Sequence, residues 1–249
     1  MSGNVTGGPG MSEEGQPATS LWKALDYLLR RRAYALGFRR FRARPRRPSD
    51  LPRLVPGLAK GTAGQLVRKL GRALLLERRE PEETGPDSLH ALTAAGARLQ
   101  DILETEFRPL DTLCRKTACA AGQNDGHGEL RGGAWIIRKL LRQRGAMTLL
   151  AQMPAEAFVR EQFISWTKAV PGASAGACLP LLMQCGLVEC PRYLHWRLRS
   201  YQLSELGRQT QTLLAILQTL ADESSQLILG RPEHFLTEVE LIDPEPKTA

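Results

Sequence analysis

The stretch from Gly61 to Glu104 allows few folds, because its hydrophobic period changes repeatedly within one short segment. Leu66, Val67, Leu70 and Leu74 recur at helical spacing, with Arg68, Lys69 and Arg72 on the opposite face. The run Leu74-Leu75-Leu76-Glu77-Arg78-Arg79 ends that helix and starts a short strand. Pro81, Gly85 and Pro86 then interrupt helix and strand alike, so Glu80 to Ser88 reads as a polar loop. Leu89 to Leu92 predicts a second short strand. Thr93 is the N-cap of another amphipathic helix that buries Leu99, Ile102 and Leu103. Helix, strand, loop, strand and helix in that order specify a mainly α unit with a small β-wing.

The residues QLVRKLGRALLLERREPEE (65–83) and LHALTAAGARL (89–99) closely resemble the MarR-type winged-helix regulators. Leu92-Thr93-Ala94-Ala95-Gly96 fits the family's leucine-threonine-x-x-glycine return from wing to helix. The resemblance implies double-stranded DNA as the partner and Arg68, Lys69 and Arg72 as contacts on a recognition helix. The wing departs from the family pattern. Its tip carries Glu80, Glu82 and Glu83 where an Asp and an Arg are usual, and that negative charge would be repelled by phosphates.

Charge is distributed very unevenly. Residues 21–79 carry +14, whereas 80–129 carry −6, 130–249 carry +2 and 1–20 carry −2. A basic first quarter raises association rates with polyanions, of which nucleic acid is the simplest. Leu21 to Leu36 predicts one amphipathic helix with Arg30, Arg31 and Arg32 at its C-terminal end. Residues 37–56 hold seven arginines between Arg39 and Arg53, punctuated by Pro45, Pro48, Pro52 and Pro56. That segment reads as an inserted arm whose Arg39, Arg40, Arg42, Arg44, Arg46 and Arg47 would grip phosphates, with Lys60 just beyond.

Beyond Glu104 the helical pattern continues to about residue 121, and glycines at 122, 126, 128, 132 and 133 mark a linker over 122–133. After it the pattern returns. Trp22…LLRRR is matched by Trp135…LLRQR, Leu70…LLLER by Leu182…GLVEC, and Leu92…Gly96 by Leu203…Gly207, all at a nearly constant offset. Three collinear matches predict two tandem winged-helix domains, 21–121 and 134–222, between a disordered leader (1–20) and an acidic tail (223–249). The second copy is also similar to the HxlR pattern. It carries a middle helix near Ala155–Ala169 and an apolar helix over 177–185, which suits a protein partner better than base edges. Its wing is basic, with Arg192, Arg197 and Arg199 placed to reach phosphates.

Other chemistries find little support. Five cysteines at irregular spacing offer neither a disulfide framework nor a C-x2-C zinc knuckle. No phosphate-binding loop, nucleophile elbow or HExxH motif is present, so neither an enzyme, a cofactor nor a metal is expected. No run is apolar for long enough to span a membrane. The expectation is a cytoplasmic, nucleoid-associated double-stranded DNA-binding protein, a transcriptional regulator first and a scaffold subunit of a nucleoprotein machine second.

Overall fold

A computed structural model describes residues 17–79, 87–120, 132–143, 145–190 and 200–229. The chain is mainly helical with two small antiparallel sheets. Helices α1 (Pro17–Leu28), α2 (Arg32–Arg39), α3 (Leu51–Leu54, entered through a 3-10 turn at Pro48–Asp50) and α4 (Lys60–Arg72) lead to strands β1 (Leu76–Arg78) and β2 (His90–Leu92). Helices α5 (Ala94–Thr105) and α6 (Phe107–Ala120) follow. The order then recurs as α7 (Gly133–Arg142), α8 (Ala146–Gln152), β3 (Phe158–Val159), α9 (Arg160–Ala169), α10 (Ala175–Gln184), β4 (Val188–Glu189), β5 (Ser200–Leu203) and α11 (Glu205–Leu229).

The recurrence extends to individual bonds. The Leu75 N–H donates to the Leu70 carbonyl, and the Leu187 N–H to the Leu182 carbonyl, both at 2.9 Å. Thr93 Oγ1 accepts the Gly96 N–H and Ser204 Oγ accepts the Gly207 N–H, both at 3.0 Å. Each capping residue thereby satisfies an orphan amide of the helix that it starts. A methyl group added to Gly96 would lie 2.0 Å from the Leu75 carbonyl oxygen, and one added to Gly207 would lie 2.1 Å from that of Leu187. The buried Gln100 of α5 donates to the Phe38 carbonyl at 2.6 Å, and Gln211 of α11 to the Leu150 carbonyl at 3.0 Å. One difference is local. Leu74 holds φ +54° where the second half has Gly186 at φ +70°, so a residue with a Cβ occupies the left-handed turn that glycine adopts without that strain.

Several expectations are corrected. The stripe over Leu21–Leu36 is split, because the chain turns at residues 29–31 between α1 and α2. Arg30 to Arg32 therefore occupy a helix–helix corner. Residues 37–56 are not an inserted arm. Gly37–Arg39 close α2, Arg46 pairs through its backbone with His90, and Pro48–Leu54 form the short middle helix. Arg46 sits beside β2 as β3, at the equivalent place in the second half, sits beside β5, giving the strand orders Arg46-β2-β1 and β3-β5-β4. Proline set the trap: it excludes a long helix but suits the first turn of a short one. The predicted middle helix at 155–169 begins only at Arg160, after β3. The leader overlaps α1 from Pro17, and the tail overlaps α11 as far as Leu229. Most of the linker (121–131), the first wing tip (80–86) and the second wing (191–199) lie outside the described residues.

A continuous apolar core runs through both halves, from Leu21, Leu25 and Leu28 of α1 to Leu213, Leu214 and Leu217 of α11. α1 packs on α11 and α7, while α11 also packs on α5 and α6. Burying each such leucine contributes about 1.5–3 kcal/mol, so the seam between the halves is held chiefly by its apolar stripes. Charge adds direction there. Asp26 of α1 lies 2.6 Å from Arg30 in the turn that follows α1 and 3.5 Å from Arg138 of α7, and Arg98 of α5 pairs with Glu223 of α11. Asp26 and Arg138 hold the same place in the two halves, on α1 and α7. This one pair of corresponding positions meets across the seam, as at the axis of an isologous dimer, but with opposite charges.

Candidate nucleic-acid interface

Helix α4 is positioned by its inner face. Ala63, Leu66, Val67 and Leu70 are buried, and Gly37 of α2 lets Leu66 approach so closely that an added methyl would meet its Cδ2 at 3.0 Å. The outer face is left to Lys60, Gly61, Gln65, Arg68, Lys69 and Arg72, all exposed. No Asp or Glu occurs in Lys60–Arg72, so the positive field is not cancelled along the helix.

Two concavities flank this helix. One, of about 630 Å³, has Lys60 and Arg68 of α4, Arg78 of β1, and Asp87, Ser88 and His90 on its walls. The other, of about 340 Å³, brings Lys69 and Arg72 together with Ser20, Lys23 and Ala24 of α1. Lys69 Nζ also stands 5.0 Å from the centroid of the Tyr27 ring, which stacks on Tyr34 at 4.7 Å. Burial raises the Tyr27 hydroxyl above its ordinary value of 10.0, with the neighbouring Tyr34 adding to the effect. The ring thus stays neutral and keeps the π face that holds the ammonium.

The remaining predicted contacts divide sharply. Arg39 pairs with Glu104 at 2.9 Å, and Arg42 with Asp101 at 2.8 Å and Glu104 at 3.4 Å, so α5 neutralises this edge of the basic segment. This corrects the expectation that the whole segment faces a polyanion. Arg46 Nε donates to the Arg40 carbonyl at 3.4 Å, and Arg47 Nη1 to the Asp87 carbonyl at 3.0 Å. One bond ties Arg46 to the turn after α2 and the other ties Arg47 to the segment before β2. Arg30 is tied to Asp26, Arg31 lies 6.0 Å from the Tyr34 ring centroid, and Arg32, Arg40 and Arg44 are exposed. Arg192, Arg197 and Arg199 lie outside the described residues. Lys23 and Arg78 were missed. Arg78 closes the strand Leu76-Glu77-Arg78 on an exposed position, a weak signal that only the β1–β2 pairing converts into a place beside α4.

Helix α10 occupies the corresponding place in the second half with the opposite chemistry. Its exposed residues are Gly176, Ala177, Pro180, Met183 and Gln184, and Met183 is 41% exposed. Beside it an apolar groove of about 450 Å³ is walled by Leu113, Trp135, Val188 and Leu206. Cys114, Cys178 and Cys185 are buried; burial and the charge of Asp111 push the Cys114 thiol up to about 12, which keeps it protonated. Among the described residues no group of three His, Cys, Asp or Glu could hold a metal ion, and no helix is long and apolar enough to cross a membrane.

No protein-family model matches the chain, nor does any curated protein or solved structure.

Proposed function

We propose that this chain binds double-stranded DNA through α4, and that it does so as two tandem winged-helix units acting in transcriptional regulation. The observation that carries the reading is an acid-free outer face on α4, flanked by a concavity with Lys60, Arg68 and Arg78 on one side and another with Lys23, Lys69 and Arg72 on the other. A helix laid in a major groove meets a phosphate backbone along each edge, and each edge here is basic. Gln65 is exposed on the same outer face, and a side chain of its type can read a base edge. The likeness to MarR-type regulators over 65–99, the recurring strand order and the paired Thr93/Gly96 and Ser204/Gly207 joints support the tandem arrangement.

The test is a fluorescence titration of short duplexes at several salt concentrations. Neutralising Arg68, Lys69 and Arg72 together to Gln should flatten the slope of log affinity against log salt by up to about 2.7, at roughly 0.9 for each phosphate no longer neutralised. Neutralising Arg39 and Arg42 should change it little, since their charges are already met by Asp101 and Glu104. Equal effects from the two sets would overturn the assignment of α4.

The uncharged outer face of α10 favours a second reading, in which the chain is a DNA-gripping scaffold subunit within a larger nucleoprotein assembly. A regulator should prefer its own site over random duplex by about 10³ or more, whereas a scaffold should show steep salt dependence with little sequence preference.

A further inference from the structure

The larger of the two basic concavities has features that a phosphate-tracking edge does not require. At about 630 Å³ it falls within the range of roughly 300–1,000 Å³ typical of small-molecule sites, whereas a backbone phosphate needs only a shallow contact. Its floor is cut into α4. Lys60, Gly64 and Arg68 follow at intervals of four and share one face of the helix. A methyl added to Gly61 or Gly64 would meet nothing within 4 Å, so the two glycines leave open space between the cations. Arg78 approaches from β1, giving three cations on the walls of one hollow.

The polar groups on the opposite wall are already sorted. Asp87, its carboxylate among the described residues, accepts from the Ser49 N–H at 2.9 Å and the Ser49 hydroxyl at 2.7 Å. The Ser49 hydroxyl bond, with Arg47 and Lys60 nearby, outweighs desolvation and holds Asp87 below its ordinary value. His90 places Nδ1 2.7 Å from the Ser88 carbonyl, which makes Nδ1 the donor. Burial keeps the ring neutral by lowering its ordinary value of 6.5, so Nε2 carries a lone pair. Ser88 is different. It is 2% exposed, and among the described residues its hydroxyl has no hydrogen-bond partner. A buried, unsatisfied hydroxyl on the wall of a three-cation hollow needs a reason.

We infer that this hollow is a nucleotide site: Lys60, Arg68 and Arg78 take the phosphate, and the Ser88–His90 wall faces the sugar or base. The nucleoside phosphate has two sources, a terminal or extruded nucleotide of DNA or a free nucleotide. The inference goes beyond α4 binding a duplex, and it can fail while that reading stands.

The experiment uses the full chain with three probes: a fluorescently labelled nucleoside triphosphate, a duplex with open 5′-phosphorylated ends, and the same duplex closed into a dumbbell. Saturable binding of the free nucleotide supports the site with a free ligand. Binding to the open duplex at least fivefold tighter than to the dumbbell supports it with a DNA terminus. In either case Lys60→Gln and Arg78→Gln should weaken the effect about tenfold or more, and so should Ser88→Ala. Ser88→Ala discriminates further. It removes a hydroxyl that has no hydrogen-bond partner among the described residues, so its melting temperature should stay level or rise while affinity falls. No nucleotide binding, together with equal affinity for open and closed duplexes, overturns the inference. If the dumbbell still binds, the duplex-binding role of α4 survives that result; if only the free nucleotide binds, the site stands and the duplex role falls.

Discussion

Helices α4 and α10 hold corresponding places in the two halves, yet one outer face is basic and the other uncharged. Gln65, Arg68, Lys69 and Arg72 in one correspond to Ala177, Pro180, Leu181 and Gln184 in the other. The inner faces agree: Leu66 and Leu70 are as fully buried as Cys178 and Leu182, and so are Leu75 and Leu187 just beyond the two helices. The contrast separates two kinds of constraint. Packing against a shared core fixes which positions are apolar, because each buried leucine contributes a kilocalorie or more. The solvent side carries no such cost and can diverge toward a polyanion in one half and toward an uncharged surface in the other.

The sharpest way to break this comparison is at the joints. Gly96→Ala and Gly207→Ala each drive a methyl to within about 2 Å of a backbone carbonyl oxygen, so the backbone itself must shift. Each should cost about 3 kcal/mol, at the upper end for overpacking, as measured by urea denaturation. Unequal costs would show that the halves do not share this joint.

The seam comes next. Asp26→Asn leaves Arg138, 24% exposed, without its nearby carboxylate and should destabilise the chain by about 1–2 kcal/mol. Exchanging the pair as Asp26→Arg with Arg138→Asp should recover part of that stability. Failure of the exchange would mean that Arg30 and Arg142, which also lie near Asp26, fix the sign of the site.

The two glutamines sharpen the comparison on a smaller scale. Gln211 donates toward three carbonyls, of Leu150, Ala151 and Met153, whereas Gln100 donates to Phe38 alone and its Oε1 has no partner among the described residues. Gln211→Leu should therefore cost about 1–2 kcal/mol and Gln100→Leu less. A reversed order in thermal melts would place the better brace in the first half.

The smallest effect concerns pH. His90 has its counterpart in Tyr201, which pairs with β3 as His90 pairs with Arg46. Burial lowers the folded-state value of His90 below its ordinary 6.5, so the unfolded chain binds its proton more readily. This contribution is fully present above about pH 6.5 and is lost as pH falls through the lowered folded value. Across that window His90→Gln should show a shallower decline of stability than the parent. An unchanged profile would assign the decline to other groups.

Much of this was legible along the chain. The period of four in Lys60–Arg72, the Thr93 cap and the return of both patterns in the second half are local signals, and local signals survive unfolding. The pairing of the two tryptophans was one position out. In the folded register Leu21, Leu25 and Leu28 correspond to Gly133, Ile137 and Leu140, which sets Trp135 opposite Lys23 rather than Trp22. The arginine segment misled for a clearer reason. Nothing near Arg39 or Arg42 in sequence foretells Glu104, which follows only after α4, the wing and most of α5.

By itself, then, the sequence determined which residues of α4 and α5 seek the core, that α5 starts after Thr93, and which half carries the positive charge. Those properties follow from side-chain chemistry and spacing within a turn or two. Only the tertiary structure decided which cations face solvent and which meet carboxylates, that the Arg46 backbone bridges to β2, and that a glycine-lined hollow lies beside α4. Coulombic partners and cavities depend on distances through space, and the chain sets those only after its apolar stripes have packed.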